Sequence, residues 1–141
     1  MISFTNLPGE LVELNFKLKQ WLKEIIRQEE FEPGDIKYFF CNDEQLLEVN
    51  LKFLNHDTYT DIITFDYGEE NLVQGEIYIS EDRIRENALN MNLPLFDEML
   101  RVVVHGVLHL CGYKDKAPEE ALLMRQKEAE AIQHYKNLNS K

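Results

Sequence analysis

The chain has 141 residues, of which 44% are hydrophobic and 29% charged, a composition that favours one compact domain and excludes a largely disordered chain. Its formal net charge of −11 at pH 7 argues against broad, non-specific nucleic-acid binding, because that mode of binding needs a positive surface. A bound divalent cation could still create a local positive site.

The cysteines and the N-terminal residues indicate in which cellular compartment the protein is expected. Cys41 and Cys111 are the only two cysteines, and each lies in an apolar run, so we expect two buried thiols rather than a disulfide framework. The opening residues, MISFTNLPGE, lack the basic and apolar regions of a signal peptide. No apolar run reaches the length of about 18 residues that a membrane span needs. These features together predict a cytoplasmic protein with no membrane partner.

Strands and helices alternate in the first part of the chain. Residues 2–6 predict a short strand, and a helix is expected to begin near Pro8. The apolar residues of that helix recur at helical spacing: Leu11, Leu14, Leu18, Trp21 and Ile25. Residues 36–41 predict a second strand, after which Asn42 and Gln45 form a predicted capping box that begins another helix.

The alternation continues in the middle of the chain. Residues 60–67 are rich in β-branched and aromatic side chains and predict a strand, residues 68–71 predict a turn, and residues 75–80 predict the partner strand. Ser80 is expected to cap a helix over residues 81–91.

The segment 95–110 is the most apolar part of the chain. Pro94 is expected to begin this helix and Gly112 to end it. Apolar side chains cover nearly all of its faces, which predicts a helix buried at the centre of the fold. A last helix is expected to begin at Pro118. The whole pattern predicts a single α/β (α+β) domain over residues 1–141, with about four strands in a mixed sheet and about five helices.

Two histidines lie on the apolar helix, one turn apart. His105 and His109 differ by only ~40° around a helix and ~6 Å along it, so both side chains project from one face. Buried histidines are costly unless hydrogen bonds or a metal ion satisfy their nitrogens. The spacing is typical of two metal ligands on one helix. We therefore predict a divalent-metal site here.

Asp115 is the predicted third ligand. Gly112 permits the left-handed backbone conformation at which a chain reverses after a helix, and Asp115 follows three residues later. Its carboxylate could complete a facial His-His-Asp set that leaves positions open for water and substrate. A solvated loop acid is the alternative interpretation of Asp115.

The histidine spacing resembles the HExxH helix of zincin metalloproteases, but the residue after the first histidine is Gly106. The glutamate that serves those proteases as general base is therefore absent. The sequence predicts hydrolysis by a metal-bound water, with any general base supplied from elsewhere, and leaves the catalytic side chains unknown.

Three segments resemble the YbeY-type endoribonucleases, the rRNA maturation factors. Residues 105–115, HGVLHLCGYKD, resemble the signature HGxLHLxGYDH. Residues 57–65, DTYTDIITF, resemble the strand D-x-P-T-(D/N)-V-L-S-F, and residues 75–80, GEIYIS, resemble the strand G-D-I-x-I-S. The resemblance covers roughly residues 50–124. It implies a single-domain fold related to the zincins, one metal ion (usually zinc), and cleavage of single-stranded RNA during rRNA maturation.

The resemblance departs from the family signature at the third ligand. His105 and His109 align with the first two ligands of the family without gaps, whereas its third histidine falls at Asp115. A carboxylate also binds zinc well, so we expect a conservative exchange. A rival alignment places the third ligand at Lys116, whose protonated amine cannot coordinate a metal.

A second departure concerns phosphate binding. The family usually carries an arginine after the aromatic residue in N-x-x-Y-R, and the corresponding residue here is Leu54. Such an arginine suits a phosphate, so Lys52, His56 or Arg101 would have to take its place. The proline of the family is replaced by Tyr59.

Four residues on the predicted strand keep the family pattern. We predict that Thr60, Thr64 and Phe65 contact the substrate, and that Asp61 orients a ligand or binds water. The alternative for Asp61 is an acid that caps the backbone at the start of the strand.

Three functions are compatible with these residues. The first is a single-strand-specific, metal-dependent endoribonuclease that acts on rRNA precursors, and the resemblance favours it. The second is a hydrolase of a peptide or small molecule, which suits the acidic composition. The third is a non-enzymatic ribosome-assembly factor in which the metal only stabilises the turn.

The endoribonuclease function implies particular partners and a particular metal. RNA is the expected partner, with ribosomal proteins as further candidates and no DNA. Zinc is the expected metal, although two histidines and one carboxylate also suit Fe(II) and nickel. The sequence leaves the oligomeric state open.

Overall fold

The predicted alternation of strands and helices is confirmed by the computed structural model, which describes residues 1–54 and 60–139. The strands in those ranges are β1 (Ile2–Thr5), β2 (Glu32–Cys41), β3 (Ile62–Asp66) and β4 (Leu72–Ser80). The helices there are α1 (Gly9–Val12), α2 (Asn15–Gln28), α3 (Asp43–Leu54), α4 (Glu81–Asn90), α5 (Leu95–Leu110) and α6 (Pro118–Asn139). The predicted fold class is correct, with one helix more than expected.

The additional helix arises because the segment after Pro8 folds as two helices. The short helix α1 ends at Val12, and the chain bends at Leu14 before α2 begins. The amide of Leu14 bonds to the carbonyl of Leu11 at 2.9 Å, a tighter turn than that of an α-helix. Leu11 and Leu18 are nevertheless both fully buried, so helical spacing of apolar residues could not reveal the bend.

Local sequence signals fix two of the helix starts as predicted. The side chains of Asn42 and Gln45 each accept a hydrogen bond from the backbone amide of the other, at 2.8 and 2.9 Å, which is a complete capping box at the start of α3. The hydroxyl of Ser80 accepts a hydrogen bond from the amide of Arg83 at 3.2 Å and caps α4.

The four strands form one mixed sheet in the order β1-β2-β4-β3. Strands β1, β2 and β4 are parallel, whereas the edge strand β3 runs antiparallel to β4. Tyr38 of β2 donates a hydrogen bond of 2.6 Å from its hydroxyl to the carbonyl of Val103. This bond fixes α5 against one face of the sheet. Because α5 also contacts α2, α4 and α6, most of its residues are buried, as predicted.

Gly106 allows α5 to approach the sheet closely. A Cβ atom built at this glycine would lie 2.9 and 3.0 Å from side-chain carbons of Ile77 and 3.2 Å from Ile62. These distances are shorter than ordinary van der Waals contacts, so any side chain here would push the helix away from β3 and β4. The glutamate of an HExxH motif could not be accommodated without such a shift.

Replacing Gly106 by alanine is expected to lower the melting temperature by several degrees. Overpacking a core costs about 1–3 kcal/mol, and the better helix propensity of alanine offsets only about 1 kcal/mol of that cost. Differential scanning calorimetry of metal-free protein measures the change. The matched control is Gly9→Ala, because a Cβ at Gly9 meets no atom within 4 Å. Equal melting temperatures for the two variants would contradict the predicted close packing.

Candidate metal centre

His105 and His109 project from the same side of α5, as their spacing predicts. Their ring centroids are 4.4 Å apart and the rings are nearly perpendicular, at 87°. His105 is 9% exposed, whereas His109 lies closer to the surface. The pair therefore forms the inner wall of a site that opens toward solvent.

The turn after α5 carries Asp115 back to the two histidines. Gly112 adopts a φ of +104°, and its amide bonds to the carbonyl of His109 at 2.9 Å. The amide of Tyr113 bonds to the carbonyl of Leu108 at 3.1 Å, which completes a Schellman motif. Because residues other than glycine rarely adopt this φ, Gly112 determines where the chain reverses and therefore where Asp115 lies.

The three predicted ligand atoms converge on one point. Oδ2 of Asp115 lies 3.3 Å from Nε2 of His105 and 3.5 Å from Nε2 of His109. All three ligand atoms lie within 4.8 Å of one another. A tetrahedral ion with bonds of ~2.0–2.1 Å separates its ligand atoms by ~3.3 Å. The spacing therefore fits a divalent ion bound by these three groups.

Hydrogen bonds at the other ring nitrogens orient both histidines for metal binding. Nδ1 of His109 donates to the carbonyl oxygen of Tyr113 at 2.9 Å, and Nδ1 of His105 donates to Oε2 of Glu128 at 2.6 Å. With a proton on each Nδ1, each Nε2 carries a lone pair that points toward Asp115. Such second hydrogen bonds are usual for metal-binding histidines, and they support the fit of an ion.

A buried ionic network holds Glu128 in place. Arg101 donates two hydrogen bonds of 2.8 Å to Glu98 and lies 3.4 Å from Oε2 of Glu128 and 3.8 Å from Oδ2 of Asp61. The hydrogen bonds to Glu98, and then the charges of all three carboxylates, raise the pKa of the Arg101 guanidinium above its ordinary value. Arg101 is therefore permanently charged and fully engaged with acids.

A cavity of about 330 Å³ lies beside the convergent atoms. His105 and Asp115 form one part of its wall. The remaining lining residues come from the residue before β3, from α4 and the residue after it, and from α5 and α6: Asp61, Asn87, Met91, Arg101, Ala121, Met124, Arg125 and Glu128. The site is thus open on one side, which distinguishes a catalytic metal site from a closed structural one.

The predicted substrate residues are only partly brought to this cavity. Asp61 lines it, and Thr60 precedes Asp61 with its hydroxyl 3.4 Å from the carbonyl of Ile62. Thr64 pairs in register with Ile77, the residue against which Gly106 packs, so Thr64 faces α5. Phe65 must face the other side of the sheet, where its ring meets those of Phe53 and Tyr78.

Of the predicted substitutes for the phosphate-binding arginine, the two that lie in the described residues, Lys52 and Arg101, offer no free charge to the cavity. Leu54 is 41% exposed at the end of α3, and the amine of Lys52 lies 5.5 Å from the ring centroid of Phe53. Arg101 lines the cavity but is engaged with acids. His56 lies outside the described residues, as does Tyr59, the replacement for the proline of the family.

Glu128 is a residue of the candidate site that the sequence analysis missed. It is 2% exposed and lies 23 residues after its partner His105. The available signal was its position within the apolar stripe of α6. The other buried residues of that stripe follow at helical spacing: Met124, Ala131 and Tyr135. A glutamate in such a stripe requires a buried partner.

The two cysteines are unpaired, and both are half-buried rather than buried as predicted. Burial raises the pKa of Cys41 to about 11 and that of Cys111 to about 12. Both thiols are therefore protonated at neutral pH, so neither serves as a nucleophile. In the described parts of the chain, no helix combines the length and the apolarity needed to cross a membrane.

The comparisons with known proteins agree on one family. The sequence model described as Endoribonuclease YbeY matches residues 6–136. A curated Endoribonuclease YbeY of Flavobacterium psychrophilum is 45% identical over 138 residues, which cover 94% of each chain. Another from Flavobacterium johnsoniae is 49% identical over 112 residues, covering 79% of this chain and 81% of the relative.

The fold is also that of a solved structure. The solution structure of a Thermotoga maritima protein superposes with a TM-score of 0.69 at 29% identity, covering 97% of this chain and 93% of that protein. The match to the family over most of the chain, the relatives above 40% identity and the shared fold confirm the resemblance found in the histidine motif. The chain belongs to the YbeY endoribonuclease family.

Proposed function

We propose that residues 1–141 form one metal-dependent hydrolase domain that cleaves single-stranded RNA as an endoribonuclease during rRNA maturation. His105, His109 and Asp115 are the proposed metal ligands. The observation that carries this proposal is the convergence of three ligand atoms beside an open cavity. The name of the relatives supports RNA as the substrate.

Zinc is the metal that we propose. Two imidazole nitrogens and one carboxylate oxygen at tetrahedral spacing suit it, and so do the fixed orientations of the rings. When bound, the ion supplies a Lewis acid that polarises a phosphoryl oxygen and makes water acidic enough to attack at neutral pH. Elemental analysis separates zinc from Fe(II) and nickel.

The other residues of the site are proposed to orient the metal ligands, orient the attacking water and contact the substrate. Glu128 and the carbonyl of Tyr113 would keep both Nε2 lone pairs available to hold the ion. Asp61 is the carboxylate that we propose to orient the attacking water, since it lines the cavity beside His105 and Asp115. Thr60, next to Asp61, and then Thr64 and Phe65 along β3 are proposed as substrate contacts.

Three further proposals rest on the resemblance of the sequence motifs. The RNA that is cleaved is an rRNA precursor, ribosomal proteins are further partners, and the protein acts in the cytoplasm. The unpaired cysteines support the last of these, because reducing compartments keep thiols free.

Protein purified without a histidine tag is expected to contain about one divalent ion per chain and to cleave single-stranded RNA more readily than structured RNA. His109→Ala is expected to lose both properties, because it removes one of three ligands. Plasma emission spectrometry and gel assays with labelled RNA measure them.

Two outcomes would contradict the proposed function. Equal RNA cleavage by His109→Ala would identify a contaminating nuclease. Hydrolysis of casein without cleavage of RNA would show that the same site acts on peptides.

A further inference from the structure

The cavity beside the metal centre contains two arginines in different electrostatic states. Arg101 is surrounded by Glu98, Glu128 and Asp61, so these acids neutralise its charge. Arg125 lines the same cavity from α6 and is exposed. Within residues 1–54 and 60–139, Arg125 makes no side-chain hydrogen bond or ion pair.

The position of Arg125 on α6 ties it to the metal centre. It precedes Glu128 by three residues, so the two side chains leave neighbouring positions on the same side of the helix. Glu128 bonds to His105 at 2.6 Å. The free guanidinium is therefore held about one helical turn from the residue that orients a metal ligand.

The part of the cavity wall near the C-terminal end of α4 offers groups that suit the rest of a nucleotide. Asn87 lies on α4, Met91 follows the last residue of that helix, and both line the cavity. Met91 is 49% exposed, although its side chain is apolar. The side-chain amide of Asn87 forms no hydrogen bond with any other residue in the described part of the chain. An apolar surface and a free amide could contact a base and a sugar.

We propose that Arg125 binds the phosphate of an RNA nucleotide adjacent to the cleaved one, and that Asn87 and Met91 contact that nucleotide in the same cavity. This inference rests on the proposed function, because it assigns part of the same substrate. The cavity volume of about 330 Å³ lies at the lower end of the range for small-ligand sites, ~300–1,000 Å³. It therefore suits one nucleotide rather than a folded RNA.

The physical basis is the geometry and charge of the guanidinium. Arginine binds phosphate oxygens through two parallel hydrogen bonds. With a net charge of −11, the protein repels a polyanion at long range, so an unneutralised cation beside the site has a large effect on RNA affinity. Each phosphate contact on a single strand contributes a slope of about −0.7 to the dependence of log affinity on log salt concentration.

The test measures binding of a fluorescent single-stranded 2′-O-methyl RNA oligonucleotide to the metal-loaded full-length protein at several salt concentrations. Arg125→Ala is expected to weaken binding roughly tenfold or more and to reduce the salt slope by about 0.7. On unmodified RNA we expect KM to rise more than kcat falls. Metal content is expected to stay unchanged, because Arg125 contacts none of the proposed ligands.

The matched control is Arg27→Ala, which removes the same charge from α2, outside the cavity. Arg27 lies at the surface, 3.9 Å from Glu32, and its removal is expected to leave both affinity and salt slope unchanged. Arg125→Lys is expected to keep the slope while losing part of the affinity, since lysine retains charge but not the planar fork.

Two results would overturn the assignment. If Arg125→Ala and Arg27→Ala bind alike while the unaltered protein cleaves RNA, Arg125 makes no phosphate contact and only this inference fails. If the unaltered protein neither binds nor cleaves RNA, the proposed function fails and the assignment of Arg125 fails with it.

Discussion

Replacing Asp115 by alanine is expected to lower the affinity for zinc more than ~100-fold and to abolish RNA cleavage. Loss of a partner outside the first coordination sphere typically costs 10–100-fold in affinity, so loss of one of three direct ligands should cost more. Asp115 contributes the oxygen that lies 3.3 and 3.5 Å from the two Nε2 atoms. Competition with a chromophoric chelator measures the affinity.

The matched control is Lys116→Ala, which tests the rival alignment of the signature. Lys116 is exposed, and its protonated amine has no lone pair with which to coordinate a metal. We therefore expect Lys116→Ala to bind zinc as the unaltered protein does. A loss of affinity in Lys116→Ala, with none in Asp115→Ala, would reverse the assignment of the third ligand.

The signals that predicted the fold correctly are local ones. The capping box at Asn42 and Gln45, the hydroxyl of Ser80 and the glycine at 112 each act within a few residues, so their effects can be deduced from the sequence. The His-His-Asp set was predictable for the same reason, because one helix and one turn bring together all three side chains.

The parts that sequence reasoning missed depend on contacts between distant segments. Glu128 reaches His105 only because α6 packs against α5. Arg101 had looked available for phosphate, yet the tertiary fold surrounds it with three acids. A sequence shows which side chains are charged, but it does not show whether neighbouring charges in the fold neutralise them.

Gly106 bears both on the packing of α5 and on the proposed chemistry. A zincin protease has its general base at this position, whereas here the position lies against Ile77 and Ile62 of the sheet. The absence of that base is thus tied to the close packing of α5. A carboxylate that assists hydrolysis would therefore come from another element, and the one that we propose is Asp61, which lines the cavity.

Replacing Glu128 by alanine is expected to impair both metal affinity and stability. Without its acceptor, the Nδ1 proton of His105 is no longer fixed, so the affinity for zinc should fall about 10–100-fold. Removing one member of a buried ionic network costs about 3–5 kcal/mol. We expect the lower value because Arg101 keeps its two hydrogen bonds to Glu98. The melting temperature of metal-free protein should fall by about 10 °C.

Glu128→Gln separates these two effects. A glutamine oxygen can still accept the hydrogen bond from Nδ1 of His105, but its side chain removes the negative charge near Arg101. We expect this variant to bind zinc almost as the unaltered protein does, while it loses part of the stability. Nitrogen-15 NMR of the histidine rings in the metal-free state adds a direct measure, since only Glu128→Ala should let the proton of His105 move between Nδ1 and Nε2. If Glu128→Ala binds zinc with unaltered affinity at a temperature where it is folded, Glu128 stabilises the helix packing and does not position the ligand.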